Sequence, residues 1–228
     1  RFSKLFGNKT RNPEKEQLTQ FHMDIASSIQ SVTEDVMLKI TNALAKEYKI
    51  ENLCLAGGVA LNCVVNGKLL NKGNFKNIWI QPAAGDAGGS LGAALGFWHI
   101  ELKKNRIINI KDNMCGSYLG PEYSQQEIER KLKKIGADFK ILEEDKLIEK
   151  TSSALVDGKA IGWFQGRMEF GPRALGARSI IADSRSETMQ KKLNLKVKYR
   201  ESFRPFAPSI LREYVSDWFN LNVDSPYM

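Results

Sequence analysis

The sequence predicts an α/β chain built as two lobes. Three observations carry that expectation. The first fifty residues show an apolar face at helical spacing. Two short apolar runs, each followed by a glycine-bearing turn and a helix-compatible stretch, come next. A second series of helices and strands follows a polar interval at 103–118.

Taken in order, the spacing predicts a helix over 14–48, with Phe21, Ile25, Ile29, Val32, Val36, Ile40 and Leu44 on one face. Asn52 to Ala56 reads as a short buried strand ended by Gly57-Gly58, and Val59 to Leu70 as a helix. A second strand is expected at 77–81, a loop at 82–85 and a Gly/Ala-rich helix at 88–104. The first lobe is expected to hold a mixed sheet, with the Gly57-Gly58 turn and the Asp86 loop at the same end of adjacent strands. Beyond the polar interval, helices are expected at 123–135 and 145–156, strands at 159–164 and 179–183, and helices at 187–195 and 208–219. The expected domains are 1–110 and 111–228.

Composition bounds the class. The chain has 228 residues, 42% hydrophobic and 26% charged, ordinary values for a globular protein. Cys54, Cys63 and Cys115 share no CxxC spacing, which argues against a disulfide framework or zinc site and fits a reducing cytoplasm. No apolar run approaches the roughly 20 residues of a membrane span. The polar, basic opening without Met and the loop-like stretch at 222–228 read as a segment of a longer protein. Net charge is +8, and the window from Lys159 to Arg212 holds twelve basic residues against four acids, so this window carries the whole excess. A basic cluster implies anionic partners, either small-molecule phosphates or nucleic acid.

Four stretches could carry chemistry. Gly57 and Gly58, between strand and helix, could let a backbone approach phosphate at a helix N-terminus, or could simply supply a tight turn. Asp86 is the only acid between Glu51 and Glu101. It could ligate a metal or cap the following helix. Gln165 to Ser179 sets Arg167, Arg173 and Arg178 among glycines, and guanidinium forks suit phosphate. Surface charge is the plain alternative, opposed by the neighbouring Trp163, Phe164, Phe170 and Leu175. Val197 to Pro208 would place Lys198, Arg200 and Arg204 on one side if the segment is extended. An edge strand guarded by charge is the alternative there. The four cations Arg173, Arg178, Lys198 and Arg204 are expected to converge on one anion, with Glu169 or Glu201 tying side chains in place.

The stretches 55–62, 81–92, 171–179 and 197–208 together resemble the carbamoyltransferase family, which includes nodulation protein U and the O-carbamoyltransferases of cephamycin and tobramycin biosynthesis. Gly-Pro-Arg-Ala-Leu-Gly-x-Arg-Ser followed by Lys-x-Arg-Glu-x-Phe-Arg-Pro-Phe-Ala-Pro carries most of the likeness. The resemblance implies the second lobe of an actin-like ATPase (ASKHA) domain followed by an incomplete YrdC-like α/β domain. It implies carbamoyl adenylate made from carbamoyl phosphate and ATP, then carbamoyl transfer to the hydroxyl of a small molecule. By motif match, Arg173, Lys198 and Arg204 are the implied catalytic residues. Gly57, Gly58, Arg178 and Arg200 are the implied nucleotide contacts, and Asp86 the implied ligand of a divalent metal, iron or magnesium. The family's His-x-x-x-His metal motif is not among these residues, whose only histidines are His22 and His99. The segment alone is therefore expected to be inactive and to hold no tight metal.

Further expectations are a homodimer, a cytoplasmic location, and neither membrane nor nucleic acid as partner. Two rival readings stand beside this one. A basic module bound to RNA or tRNA would show a steep salt dependence without nucleotide selectivity. A non-catalytic nucleotide-binding module would bind without turnover.

Overall fold

A computed structural model describes residues 2–108 and 112–228. The expected 110/111 domain boundary lies outside the described residues. Two compact units divide after Ile80. Helices and strands are mixed in both, as an α/β chain requires.

The first unit opens with a short helix α1 (Phe2–Phe6) and the long α2 (Gln20–Tyr48). His22 Nδ1 accepts the Thr19 N–H at 3.0 Å, which satisfies a backbone donor just before α2 begins. The helix starts at Gln20 rather than Glu14. Lys49, in the left-handed region at φ 52°, ends it and donates its N–H to Ala45 O.

Strand β1 (Asn52–Leu55) leads through a 3-10 turn (Gly58–Leu61) into α3 (Cys63–Lys72), and β2 (Asn77–Ile80) follows. The two strands pair in parallel, Asn52 opposite Asn77 and Leu55 opposite Ile80, so both exits lie at one end. The pairing described is parallel throughout, where a mixed sheet was expected. Leu53, Val65, Leu69 and Phe75 form the core, with Met37, Leu38 and Ala45 of α2 packed on it.

The buried side of α2 is not the expected one. Ile29 and Val32 are 62% and 56% exposed, and Val36, Ile40 and Leu44 are exposed as well. The packed side carries Glu34, Leu38, Thr41 and Ala45, about one residue further round the helix. Two polar residues on that side hid it from a hydrophobicity count. Glu34 is buried because Lys68 and Gln30 both bond its carboxylate. The Thr41 hydroxyl returns to Met37 O at 2.8 Å.

The second unit begins with the loop 81–86 and α4 (Ala87–Gly96), which ends in a π-helical turn (Phe97–Glu101). After a 3-10 turn (Cys115–Ser117) come α5 (Gln125–Lys134) and α6 (Glu144–Val156). Ser124 caps α5, accepting the Glu127 N–H while Glu127 accepts the Ser124 N–H, a reciprocal box. Strands β3 (Ile161–Phe164) and β4 (Arg178–Ile181) pair antiparallel, Phe164 opposite Arg178. Helix α7 (Met189–Lys196) follows. The helix expected at 208–219 shrinks to a 3-10 turn (Arg212–Tyr214) and the single turn α8 (Val215–Trp218). Pro205 and Pro208 lack the N–H that would extend a helix upstream. Among the described residues no helix is long and apolar enough to cross a membrane.

Candidate functional site

The hairpin β3–β4 is bridged by the loop 165–177, which holds Arg167 and Arg173 and hands Arg178 to β4. Three glycines at positive φ, Gly166 (50°), Gly171 (120°) and Gly176 (104°), bend it. The buried Glu169 carboxylate shapes it. Glu169 Oε1 accepts the N–H groups of Leu175 at 2.7 Å, Ala177 at 2.8 Å and Arg178 at 3.3 Å. Burial raises the Glu169 pKa, but hydrogen bonds from its own amide and these three outweigh it, leaving the group below its ordinary value. Of the two acids expected to tie side chains, Glu169 instead ties backbone, whereas Glu201 pairs with Arg204.

Loop 165–177 is also moored outside itself. Tyr118 Oη donates to Leu175 O at 2.6 Å, and Phe170 N–H donates to Ser117 O at 2.7 Å. A Cβ built on Gly171 would stand 3.3 Å from Ala83 Cβ, so this turn packs against the Pro82–Asp86 loop. Sequence reading had placed those two loops in different domains and missed the contact.

Within the loop the arginines differ. The Arg178 guanidinium donates to Gln165 O at 2.9 Å, Ala177 O at 2.8 Å and Gly166 O at 3.2 Å, and lies 3.3 Å over the Phe164 ring. It locks the hairpin. Arg167 pairs with Glu122. Arg173 is half-buried, its Nη1 3.8 Å from Met228 Sδ.

The second basic segment, 197–204, is not extended. Val197 and Lys198 N–H groups both return to Leu193 O, and Tyr199 turns at φ 50°. The alternation argument for Lys198, Arg200 and Arg204 therefore fails, because the backbone reverses between them. Asn194 takes its place as the organiser. It is 0% exposed, and Nδ2 donates to Ser202 O at 3.1 Å and Arg204 O at 2.8 Å. Its Oδ1 accepts from Arg200 Nε at 2.6 Å. Arg200 also lies 4.9 Å over the Phe206 ring. Arg204 pairs with Glu201 at 2.8 Å, and Lys198 is exposed. Nothing in the residue types of 197–208 pointed to Asn194, which lies upstream on α7.

The remaining sites are simpler. Gly57 sits at φ 99°, so the turn itself requires glycine there. Gly58 has open space where a Cβ would stand. The α3 N-terminus is served by Asn62, whose Oδ1 accepts the Val65 N–H at 3.1 Å. Asp86 occupies the position before α4 but makes no capping hydrogen bond, and its side chain is exposed. Among the described residues no group of three or more His, Cys, Asp or Glu could hold a metal ion. Asp86 alone does not make a metal site. Cys54, Cys63 and Cys115 are free thiols.

Comparison with known proteins places these features. A model of the carbamoyltransferase N-terminus matches residues 1–95, and one of the carbamoyltransferase C-terminus matches 152–228. An uncharacterized protein of Synechocystis sp., sll1178, is 58% identical over 230 residues, covering 100% of this chain and 37% of that protein. Nodulation protein NolNO of Sinorhizobium fredii is 42% identical over 204 residues, 89% of this chain and 29% of its own length. Nodulation protein NolO of Bradyrhizobium diazoefficiens is 42% identical over 204 residues, 89% of this chain and 36% of its own. The chain thus spans about a third of the length of these relatives. With both terminal models matched in order, on the two regions that hold the glycine turn and the basic loops, the chain belongs to the carbamoyltransferase family.

Proposed function

We propose that these residues serve an ATP-dependent O-carbamoyltransferase. In this reading water displaces inorganic phosphate from carbamoyl phosphate, and an oxygen of the resulting carbamate bonds the α-phosphorus of ATP as pyrophosphate leaves. A substrate hydroxyl oxygen then bonds the carbamoyl carbon and AMP leaves. The domains would be an actin-like lobe at 1–110 and a YrdC-like domain at 111–228.

The observation that supports this reading most is the pair of basic segments, each held by a buried polar side chain. Fixed cations stabilise charge that develops on phosphoryl oxygens without having to reorganise at the moment of reaction. Arg173 and Lys198 would act on the departing pyrophosphate, and Arg204 would turn from Glu201 to join them. Arg178 and Arg200 would hold the two segments in shape beside the nucleotide of the adenylating step, and Gly57 and Gly58 would form a nucleotide loop within the first lobe. Asp86 would supply one ligand to a divalent ion, the others coming from outside these residues. The 228 residues alone would therefore be inactive in transfer.

The test is carbamoyl-phosphate-dependent exchange of labelled pyrophosphate into ATP, in a relative-length protein carrying this chain. Arg173→Ala or Lys198→Ala should lower exchange by about 2–4 kcal/mol of transition-state stabilisation, with thermal unfolding unchanged. Exchange at the wild-type rate in both variants would remove the basic segments from the chemistry.

A further inference from the structure

We propose that Glu169 is a positioning residue, whose carboxylate sets the shape in which loop 165–177 presents Arg173 to a polyphosphate. The inference rests on the reading of that loop as an anion site, and it gives Glu169 a role toward the backbone rather than toward side chains.

A carboxylate beside an anion site should weaken it, since like charges repel. Yet Glu169 is only 7% exposed, in the middle of the most arginine-rich stretch of the chain. Its contacts explain why it is there. One oxygen collects the amides of Leu175, Ala177 and Arg178 at 2.7–3.3 Å, all from the segment just after Arg173. Donors to an ionised acceptor form the stronger class of hydrogen bond. Leu175 is gripped from both sides, its N–H by Glu169 and its carbonyl by Tyr118. The glycines at 171 and 176 make this path accessible but do not select it. Without the carboxylate, three amides inside a bend of flexible residues would lose their shared acceptor, and Arg173 would be carried on a mobile loop. Glu169 therefore has two opposed effects on a bound polyphosphate: its charge disfavours the anion, and its geometry favours it.

That opposition gives a test by sign. Glu169→Ala removes both effects, while Glu169→Gln removes the charge and keeps an acceptor oxygen. The experiment titrates inorganic pyrophosphate into the 228-residue chain by calorimetry at pH 7, for wild type, Glu169→Ala, Glu169→Gln and Arg173→Ala. Amide exchange at Leu175, Ala177 and Arg178 is followed in parallel, with thermal unfolding as the check on folding. If Glu169 positions the loop, Glu169→Ala weakens pyrophosphate by about tenfold or more and the three amides lose about tenfold or more of their protection. Glu169→Gln then restores affinity to wild type or tighter. A purely electrostatic group gives the reverse sign, with Glu169→Ala binding tighter than wild type, and that result overturns the proposal. So does unchanged protection of the three amides in Glu169→Ala. Should Glu169→Ala not fold, Glu169→Asp, a methylene too short for the same grip, takes its place with the same expectation. Failure of the underlying reading looks different: wild type then ignores pyrophosphate, or Arg173→Ala binds as wild type does. Either result removes the anion site, and this proposal with it.

Discussion

Replacing Asn194 with alanine should loosen the segment 197–204 before it does anything else. The side chain is fully buried and makes three hydrogen bonds outside its own helix. Two are amide-to-carbonyl bonds, worth about 1 kcal/mol each, and one comes from a guanidinium, worth about 1.5–3 kcal/mol. Arg200 is only half-buried and can turn to water, which lowers the last figure. The expected loss is about 2–4 kcal/mol. Urea unfolding at pH 7 measures it, and amide exchange from Lys198 to Arg204 shows where it falls. Asn194→Asp is a sharper control. It keeps an acceptor for Arg200 but turns its second oxygen on the carbonyls of Ser202 and Arg204, so it should also destabilise. A loss below about 0.5 kcal/mol, the range of a neutral surface substitution, with unchanged exchange in both variants, would refute the claim that Asn194 organises this segment.

Arg178→Lys should cost about 1–3 kcal/mol, because an ammonium cannot serve three carbonyls while lying flat on Phe164; a calorimetric melt decides this, and an unchanged melt would sink it. Leu69→Ala should cost about 2–5 kcal/mol, whereas Val36→Ala, on the exposed side of α2, should cost under about 0.5 kcal/mol; equal losses on urea unfolding would mean that α2 packs by the face its periodicity suggested. Asp183 is lowered to about 2, first by the side-chain hydrogen bond from Arg185. Being depressed in the folded state, it contributes stability that is complete above the unfolded value of about 4 and fades as pH falls toward about 2. Asp183→Asn should flatten the pH dependence of stability in that window, and an unaltered pH profile would contradict the pairing.

Much of the local structure was legible. The helix expected at 123–135 became α5, and the strands expected at 52–56 and 77–81 became the two parallel strands, because such signals act through the nearest few residues. The failures share a cause. The buried side of α2 carries Glu34 and Thr41, which are tolerated because Lys68 on α3 and the Met37 carbonyl satisfy them. No count of apolar residues can see a partner that lies over thirty positions away. The condition that the second basic segment be extended is not met, because its turn at Tyr199 is imposed by Leu193 and Asn194, on a helix that ends before it. The candidate cations were found from residue type alone. Of the two side chains that hold them in place, Glu169 was expected to tie side chains and instead grips backbone amides, and Asn194 was not singled out, since an amide inside a helix looks like an ordinary residue until its contacts are known.

Charge alone, moreover, is a weaker guide to this site than it first looks. Of the twelve basic residues between Lys159 and Arg212, Lys159, Arg167, Arg185, Arg204 and Arg212 each pair with a carboxylate, three of them with acids outside that window. Arg178 and Arg200 are engaged by carbonyls, an amide and aromatic rings. A net excess of +8 in the window therefore does not mean a field of that size at one point. What separates an anion site from a basic surface is whether its cations are fixed before the anion arrives. A loop carrying Arg173 on three amides bound to a buried carboxylate satisfies that condition, and an exposed lysine on a helix does not. The search for the working cations of this chain thus narrows to those whose backbone is braced, Arg173 first and Lys198 beside Asn194 second. A salt titration can separate the two cases, because a braced pocket for a small polyphosphate keeps its selectivity for pyrophosphate over phosphate as ionic strength rises, and a diffuse basic surface loses both together.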